Sequence, residues 1–455
     1  MEYPGTKFTR PIRLALLFTL IGIFLIVSPL LIMYTAGYRY DWKEGLLKET
    51  GSINIDIRPA TATVYLNNVK LNDQIPVRLN NIVPARYLVR ISQDGYFDWN
   101  KEIEVKNKQT NYIKEISLLR KSKPEQVVAG TIDDFRISYD GRFIVYAIQK
   151  NSLTQIWLRD ITNKVSTKLL ELNPDIKTEF SWAEKNNYLA IGIKDESMVY
   201  IINATNPKDF EDLGGVEKFQ WGNTTEPQLY YSNNDKNIFA YSPENQNTQI
   251  VTKNNYLDWQ MDNDQLWTIT ENTTTQEYII TKDTLGFSSL IKKLRASDLR
   301  TNPQNGVVPI NLHIIAAHQN TALLKTDTEP GMVLVHNDQV YKLAVNSFVV
   351  SPYNNWWLLW SDLELWGFQE NAEPYLINRS GENLKQVVPL DQYNTLALVW
   401  ANKTTALFPY YSVTHELVNE RTTQVNADTS HKILYYIHGS ESKEKNNDGI
   451  WKINY

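Results

Sequence analysis

Two groups of acidic residues have a spacing that could support acid–base chemistry. Asp258, Asp262 and Asp264 lie close together in the chain, and Asp362 and Glu364 form a second group. Glycoside hydrolysis uses two opposed carboxylates, so both groups are candidates for such a site. However, the first group surrounds a predicted turn, where aspartate is favoured for local hydrogen bonds. The second alternates with leucines, as on the solvated face of a strand. We therefore interpret both groups as structural.

The sequence gives little indication of a catalytic or metal-binding site built from histidine or cysteine. The chain has no cysteine, which excludes disulfides, thiol catalysis and thiolate metal sites. Of the six histidines, His313 and His318 are close in sequence, but their spacing is not that of a zinc-binding helix. There is neither a Gly-x-Ser-x-Gly elbow nor a Gly-rich phosphate loop. We predict no catalytic residue, no cofactor and no metal site, and therefore no enzyme.

Tryptophans are the remaining candidates for a binding site. Trp356, Trp357, Trp360 and Trp366 crowd one short segment. Because successive residues of a strand point to opposite faces, we expect either Trp356 or Trp357 to be exposed. Exposed aromatic side chains on a β-protein are typical contacts for a partner protein or a glycan. We predict these four residues as candidate binding residues, with packing between strands as the alternative.

Composition favours a folded protein without nucleic acid as a partner. The 455 residues are 42 % hydrophobic and 12 % aromatic, which a disordered chain would not be. The net charge is −5, so no global positive field attracts a phosphate backbone. The length suits two or more domains.

An apolar segment near the amino end is long enough to cross a membrane. Residues 14–33 contain no charged side chain, and a helix of this length spans about 30 Å, the hydrocarbon thickness of a bilayer. A buried core helix would be shorter and carry a polar stripe. A cleaved signal peptide would have a shorter apolar region and a small residue where Tyr34 stands. We predict an uncleaved transmembrane anchor over residues 14–36.

The charges around this segment predict its orientation. Lys7, Arg10 and Arg13 precede it, whereas cations and acids are mixed beyond it. The positive-inside rule predicts that residues 1–13 form a short cytoplasmic tail and that the bulk of the chain lies outside the membrane. We expect the lipid bilayer as a partner through this one helix. An aromatic cluster suited to the membrane interface follows it: Tyr34, Tyr38, Tyr40 and Trp42.

Residues 50–120 have the pattern of a small domain of short strands. Ile53, Ile55 and Ile57 alternate with polar residues, which is typical of a half-buried strand. Asn67 and Asn68 separate two apolar stretches, and asparagine tolerates the positive φ of a tight turn. The polar, proline-containing stretch that follows, residues 120–125, predicts a linker.

Several segments of this domain carry a resemblance to a known family: Gly51-Ser52-Ile53, Pro59-Ala60-Thr61-Ala62, Val64-Tyr65-Leu66, Asn67-Asn68, Ile82-Val83-Pro84-Ala85-Arg86-Tyr87 and Gly95-Tyr96. They resemble the PEGA domain, a small β-sandwich found in envelope proteins. The Glu-Gly that gives the family its name is Ala60-Thr61 here. The resemblance implies a spacer or adhesion module without catalysis, and an unrelated small sandwich is the alternative.

A repeated unit of apolar strands and polar turns occupies residues 125–455. In the first copy Ser138-Tyr139-Asp140-Gly141 separates two apolar strands, and Asp-Gly is a strong hairpin signal. Trp182, Trp221 and Trp259 follow one another at nearly constant spacing, which predicts one equivalent position in three copies. Seven copies would average about 47 residues and eight about 41, and both values suit a four-stranded propeller blade.

This repeat resembles bacterial β-propellers of the Tol translocation system and of peptidase propeller domains, whose blades carry Ser-Pro-Asp-Gly. Ser138-Tyr139-Asp140-Gly141 keeps three of these four residues, and Ser351-Pro352-Tyr353-Asn354 keeps the first two. We predict an all-β fold: a transmembrane helix, a PEGA-like sandwich and a propeller of seven or eight blades, with eight favoured. We expect residues 126–128 to close the ring as an outer strand of the last blade, which removes free edges. A stack of unrelated sandwiches is the alternative.

These features predict a non-enzymatic binding or scaffold protein of the bacterial cell envelope. The helix anchors it, and the propeller presents a surface to a protein or glycan outside the membrane. The alternative is a propeller-type glycan hydrolase or lyase acting outside the membrane with paired carboxylates. A third hypothesis is a periplasmic partner of a secretion or transport machine. Two carboxylates facing each other in a central pocket would favour the enzyme.

Overall fold

The computed structural model describes residues 10–41, 45–208, 210–253, 255–284, 287–299, 310–370, 372–439 and 448–455. The chain divides into two compact units, Met1–Lys121 and Ser122–Tyr455. Strands dominate both units, and the first also contains one long helix.

Helix α1 begins at Arg10 and ends at Thr35. It is long and apolar enough to cross a membrane, and none of its apolar stretch is buried inside the protein. Thr19 donates from Oγ1 to the carbonyl of Ala15 over 2.8 Å, so its hydroxyl is satisfied within the helix. The helix begins four residues before the predicted anchor, which started at residue 14, because it includes Arg10 and Arg13 in its first turn as well as the apolar segment. Residues 1–9 of the predicted cytoplasmic tail lie outside the described residues.

The rest of the first unit is built from short strands: β1 Tyr38–Asp41, β2 Leu46–Glu49, β3 Gly51–Arg58, β4 Thr63–Leu66, β5 Val69–Lys70, β6 Val77–Ile82, β7 Arg86–Ser92, β8 Trp99–Glu104 and β9 Thr110–Ser117. β1 and β2 form a separate hairpin. One sheet has the order β6-β3-β9 and the other β5-β4-β7-β8. β3 is parallel to β9 and antiparallel to β6.

The predicted alternation in this domain is confirmed. Ile53, Ile55 and Ile57 of β3 are buried, and Trp99 of β8 is fully buried in the same unit. Asn67 and Asn68 both adopt positive φ between β4 and β5, as predicted for the tight turn.

The second unit is a succession of short antiparallel strands: β10 Glu125–Ala129, β11 Ile132–Ile137, β12 Phe143–Lys150, β13 Leu153–Asp160, β14 Val165–Leu172, β15 Thr178–Trp182, β16 Tyr188–Ile193, β17 Met198–Asn203, β18 Phe210–Gly214, β19 Val216–Trp221, β20 Leu229–Asn233, β21 Asn237–Ser242, β22 Asn247–Lys253, β23 Asp258–Asp262, β24 Gln265–Asn272, β25 Glu277–Thr284, β26 Phe287–Arg295, β27 Leu312–His318, β28 Thr321–Thr326, β29 Met332–His336, β30 Gln339–Leu343, β31 Ser347–Val350, β32 Trp357–Trp360, β33 Glu364–Phe368, β34 Tyr375–Arg379, β35 Gln386–Pro389, β36 Leu396–Val399, β37 Thr404–Phe408, β38 Val413–Val418, β39 Thr422–Asp428, β40 Ile433–His438 and β41 Gly449–Asn454. Short helical turns occur at Lys194–Glu196, Ala296–Leu299 and Pro409–Tyr411.

Within the described residues these strands form eight four-stranded sheets. Blades 1 to 7 take four consecutive strands each, from β11–β14 through β35–β38. Blade 8 has the order β10-β41-β40-β39, so the strand that precedes blade 1 is the outer strand of the last blade. Gln126 pairs with Trp451 and Val128 with Ile450, which confirms the predicted closure. The all-β propeller with eight blades is therefore confirmed.

Apolar side chains fill the space between neighbouring blades. Phe143 and Val145 of blade 1 belong to one buried cluster with Leu189 and Ile191 of blade 2. Similar clusters join the later blades and include residues of blades 8 and 1 together. Blades are covered on both faces, which explains strands that are apolar throughout rather than alternating.

The predicted equivalence of three tryptophans holds for two of them. Trp182 and Trp221 are the last residues of the first strands in blades 2 and 3, paired with Leu189 and Leu229. Trp259 lies earlier in its strand and pairs with Thr268. The prediction failed there because the end of the first strand in blade 4 is Asp262, so the nearly constant spacing of the tryptophans does not reflect one register position.

Candidate functional site

The first strand of each blade ends at one face of the propeller. First strands run in the same direction around a ring of equivalent blades, so the loops from first to second strands share a face. We call these loops together the inner loop face: residues 138–142, 183–187, 222–228, 263–264, 319–320, 351–356, 390–395 and 429–432.

Two tyrosines of the inner loop face are open to solvent. Tyr139 of blade 1 is 68 % exposed, and Tyr353 of blade 6 is 38 % exposed. Burial of the hydroxyl is the main cause that raises the pKa of Tyr353. A hydrogen bond to Thr429 acts to lower this pKa, whereas the charges of Asp391 and Asp428 act to raise it. Rings with little conformational freedom and a polar tip are suited to contact a partner.

The sequence contained a signal for these two residues. Tyr139 replaces the proline and Tyr353 the aspartate of the Ser-Pro-Asp-Gly pattern, in the two copies that match this pattern best. A large aromatic side chain in a surface turn has no role in forming the turn, so both departures indicate a role in contact.

The Asp140 carboxylate, in contrast, is fully used in holding its loop. It accepts hydrogen bonds from Ser138 Oγ at 2.6 Å, from the Arg142 backbone N–H at 3.0 Å and from Asn187 Nδ2 of the next blade at 2.9 Å. Burial alone would raise its pKa, but these hydrogen bonds outweigh burial and lower it. Asp140 is thus a structural carboxylate.

A second structural carboxylate, Asp428, packs against the same loop. Its Oδ2 lies 2.8 Å from His431 Nδ1, and its Oδ1 accepts from the His431 backbone N–H. Gly141 has φ near +70°, and a Cβ there would lie 2.0 Å from Asp428 Oδ2. The glycine predicted from the Asp-Gly pair is therefore required both for its conformation and for the space beside Asp428.

Asp262 and His318 form a buried pair across blades 4 and 5. Asp262 Oδ1 lies 3.0 Å from His318 Nδ1, and Asp262 Oδ2 accepts from the Gln319 backbone N–H at 2.7 Å. The Asp262 side chain is 7 % exposed. The hydrogen bond that His318 donates to Asp262 raises the pKa of His318, although burial acts in the opposite direction.

Two more acids approach this pair from other blades. The protein packed around the Glu184 carboxyl group disfavours its charged form and raises its pKa, with a further contribution from Asp262. In the orientation of the Gln319 side-chain amide that gives both its nitrogen and its oxygen a partner, the nitrogen donates to Glu370 Oε1 at 2.7 Å. Acids from several blades thus converge on one side of the inner loop face.

The acidic groups singled out in the sequence are engaged in structure. Asp258 accepts from Lys218 at 2.8 Å and from the Ile314 backbone N–H at 2.9 Å. Glu364 accepts from Trp366 Nε1 and from Arg379, both of which lower its pKa. Asp264 and Asp362 are exposed.

The structure corrects the expected exposure of the tryptophans. Trp356, Trp357 and Trp360 are 3 %, 2 % and 5 % exposed. Trp356 and Trp360 pack toward blade 7, whereas Trp357 packs toward blade 5. Alternation does send Trp356 and Trp357 to opposite faces, but both faces of a blade are covered by neighbours. Trp366, which is half-buried, is the one of the four with accessible surface.

No group of three or more histidine or acidic side chains in the described part of the chain is placed to hold a metal ion. A cleft of about 500 Å³ is lined by residues of blades 2 and 3 together with Gln260 of blade 4 and Ile315 of blade 5. Glu179, Lys194, Glu217 and Lys218 are among its lining residues. Glu179 forms an ion pair with Lys194 at 3.3 Å.

Fold and topology define an all-β protein in which a small sandwich precedes an eight-bladed propeller. Residues 50–118 match the PEGA domain family, which confirms the resemblance of this segment. No curated protein matches the chain.

Solved propellers resemble the second unit. The β-propeller domain of Cps50 (Swd1) from Myceliophteria thermophila is 9 % identical, with a TM-score of 0.42 over 72 % of this chain and 99 % of that one. The Dos1 propeller is 10 % identical, with a TM-score of 0.48 over 73 % and 95 % of the two chains. A prolyl endopeptidase is 10 % identical, with a TM-score of 0.42 over 70 % and 55 %.

Proposed function

We propose that this chain is a non-enzymatic binding or scaffold protein of the bacterial cell envelope. Helix α1 anchors it in the membrane with its amino end in the cytoplasm, and the PEGA domain and propeller lie outside. The propeller binds a protein or glycan through the inner loop face. The observation that carries this proposal is the pair of exposed tyrosines, Tyr139 and Tyr353, on the inner loop face. The carboxylate next to Tyr139, that of Asp140, is occupied by hydrogen bonds within the protein.

The character of the face supports binding rather than catalysis. Asp140, Asp262 and Asp428 accept hydrogen bonds from backbone N–H groups of the protein itself, so the structure accounts for each of them as a group that holds its loop. Aromatic side chains beside fixed polar groups are typical of an interaction surface. Of the four predicted tryptophans we retain only Trp366 as a further contact.

Partner capture tests the role of the face. The full chain in detergent is immobilised and exposed to envelope fractions, and captured proteins and glycans are identified. We expect the double variant Tyr139→Ser/Tyr353→Ser to lose at least about tenfold in capture, because a central aromatic anchor contributes about 2 kcal/mol or more.

Tyr112→Ser is the matched control, because Tyr112 is 57 % exposed but belongs to the PEGA domain. It should capture as the wild type does. If the double variant retains the full set of partners while Tyr112→Ser loses them, the binding surface lies in the first unit and the proposal is wrong.

Protease accessibility tests the orientation. Protease added to intact spheroplasts should digest the propeller, because the positive-inside rule places the bulk of the chain outside. A fragment that is fully protected until the membrane is dissolved would reverse the proposed topology.

One observation favours the alternative of a glycan hydrolase or lyase. Glu179 and Glu217 both line the cleft of about 500 Å³ that residues of blades 2 to 5 surround. Two carboxylates in a cleft are the machinery of glycoside hydrolysis. Release of reducing sugar from envelope glycans that is abolished in both Glu179→Gln and Glu217→Gln would establish this alternative.

A further inference from the structure

The hairpin β1–β2 carries apolar side chains that nothing in the described protein covers. Leu46 and Leu47 are 59 % and 50 % exposed. Leu46 pairs with Asp41, and Leu47 with Tyr40. The two leucines are consecutive, so they point to opposite faces and both faces are open. An isolated two-stranded hairpin is marginally stable in water, so its surroundings must contribute to its stability.

The hairpin follows directly from the apolar helix. The backbone N–H of Ala36 still bonds to the Ile32 carbonyl, and β1 begins two residues later. Arg39 donates to the Tyr34 carbonyl at 2.9 Å, and its guanidinium lies 3.7 Å from the centre of the Tyr34 ring. Tyr34 itself is 63 % exposed in the last turn of the helix. The hairpin therefore starts at the depth where a membrane-spanning helix leaves the hydrocarbon.

The stem of the hairpin is held on both sides. Thr50 donates from its backbone N–H and from Oγ1 to the Gly37 carbonyl, at 2.9 and 2.6 Å. Glu49 accepts from Lys108 of the small domain at 2.6 Å and from the Tyr38 hydroxyl. Helix end, hairpin and sandwich are thereby joined by short polar contacts, so the exposed leucines keep a fixed height relative to the helix.

We propose that the hairpin lies in the headgroup region of the bilayer and inserts Leu46 and Leu47 at the boundary with the acyl chains. This inference rests on the proposed membrane anchor. The partner is the lipid surface, because it is continuous with the helix and surrounds both faces of the hairpin. Each headgroup layer is about 5–7 Å deep and paired strands lie about 4.8 Å apart, so the layer can hold the two strands with their sheet upright and both faces against lipid. The hairpin thus acts as a second membrane contact that orients the PEGA domain.

Fluorescence quenching in vesicles tests the proposal. The chain has no cysteine, so a single introduced cysteine can be labelled without background. Leu47→Cys and Leu46→Cys are each labelled with nitrobenzoxadiazole in the full chain, reconstituted into vesicles of phosphatidylcholine and phosphatidylglycerol. We expect both labels to be quenched by lipids carrying a nitroxide near the headgroup and to be several-fold less accessible to iodide than a label at Val69→Cys.

Two reference positions separate the possible failures. Val69, on β5, is 67 % exposed and should respond only to iodide. Ile26, in the middle of α1, should respond only to lipid nitroxide when changed to cysteine. If Ile26→Cys is quenched by lipid but both leucine positions behave as Val69→Cys does, the hairpin proposal is overturned and the anchor stands. If Ile26→Cys responds to iodide instead, the anchor itself is wrong.

Discussion

Neighbouring blades of the propeller are joined by two kinds of polar contact that differ in charge. At three of the junctions a glutamine of one first strand bonds to the backbone of the next. Gln386 donates to the Val425 carbonyl at 2.8 Å and accepts from the Val425 N–H at 2.9 Å, which joins blades 7 and 8. Gln220 bonds in the same way to Met261, and Gln424 bonds to Phe135.

The junction of blades 4 and 5 uses carboxylates instead. Asp258 accepts from the Ile314 N–H, and Asp262 accepts from the Gln319 N–H. Each carboxylate also has a basic partner, Lys218 for Asp258 and His318 for Asp262.

This difference shows why the carboxylates between blades 4 and 5 bring further ionisable groups with them. An amide has a donor and an acceptor, so one glutamine satisfies both groups of a backbone unit and remains neutral. A carboxylate only accepts, so it gathers several donors and needs a positive neighbour when it is buried. The amide contacts themselves therefore contain no titrating group, whereas the contact between Asp262 and His318 depends on protonation. Asp258 and Asp262, two of the acidic residues singled out in the sequence, each join blades 4 and 5 by accepting from a backbone N–H.

Removing a buried carboxylate should have the largest effect. Asp262→Ala leaves the Gln319 N–H and His318 without their acceptor, and we expect the free energy of unfolding to fall by about 3–5 kcal/mol. Denaturant titration of the full chain in detergent measures this loss. Asp264→Ala makes the same chemical change at an exposed position of the same turn and should change the free energy by less than about 0.5 kcal/mol. Equal losses in the two variants would contradict a structural role of the Asp262 carboxylate.

Removing an amide should cost less. Gln386→Leu leaves the buried N–H and carbonyl of Val425 unpaired, and we expect a loss of about 2 kcal/mol in the free energy of unfolding. The same titration measures it, with Gln249→Leu on the exposed outer strand of blade 3 as control. A loss larger than that of Asp262→Ala would contradict the ranking of carboxylate over amide junctions.

Most of the fold could be predicted from the sequence because its determinants are local. Apolar alternation, the Asp-Gly pair and the paired asparagines specify strands and turns within a few residues of themselves. All eight copies of the repeat recognised in the sequence, from the one around Phe135 to the one around Ile433, correspond to blades. The closing strand could be predicted as well, because a ring leaves no other place for the segment around Val127.

The junctions and the site could not be predicted, because their partners lie far apart in sequence. Asp262 and His318 are in different blades, and so are Tyr353 and Thr429. Because the sequences of the repeats differ from one another, no local pattern indicates which residues of different blades are in contact. The tryptophan prediction failed for a related reason: alternation tells which face a side chain takes, but not that both faces of a blade are covered.

The smallest effect is the dependence of stability on pH, and it distinguishes the two kinds of junction most directly. The hydrogen bond to Asp262 raises the pKa of His318 in the folded protein, despite burial, which acts to lower it. The folded state therefore binds the proton more tightly than the unfolded state. The stabilisation is complete below the unfolded value of about 6.5 and is lost as the pH rises through the higher folded value. Glu184, whose pKa is also raised, acts with the same sign from a lower starting value.

We therefore expect the wild type to lose more stability than His318→Gln when the pH is raised from about 6 to about 8, the range in which histidine titrates. Both proteins are compared in the Glu184→Gln background, because His318 acts to lower the pKa of Glu184 and its contribution would otherwise differ between them. Gln386→Leu is the control, because it removes an amide contact without a titrating group; its stability should change with pH as that of the wild type does. If His318→Gln retains the wild-type slope, protonation of His318 does not strengthen the junction of blades 4 and 5. A changed slope in Gln386→Leu would show instead that the amide junctions are also linked to protonation, and the distinction between the two kinds of junction would fail.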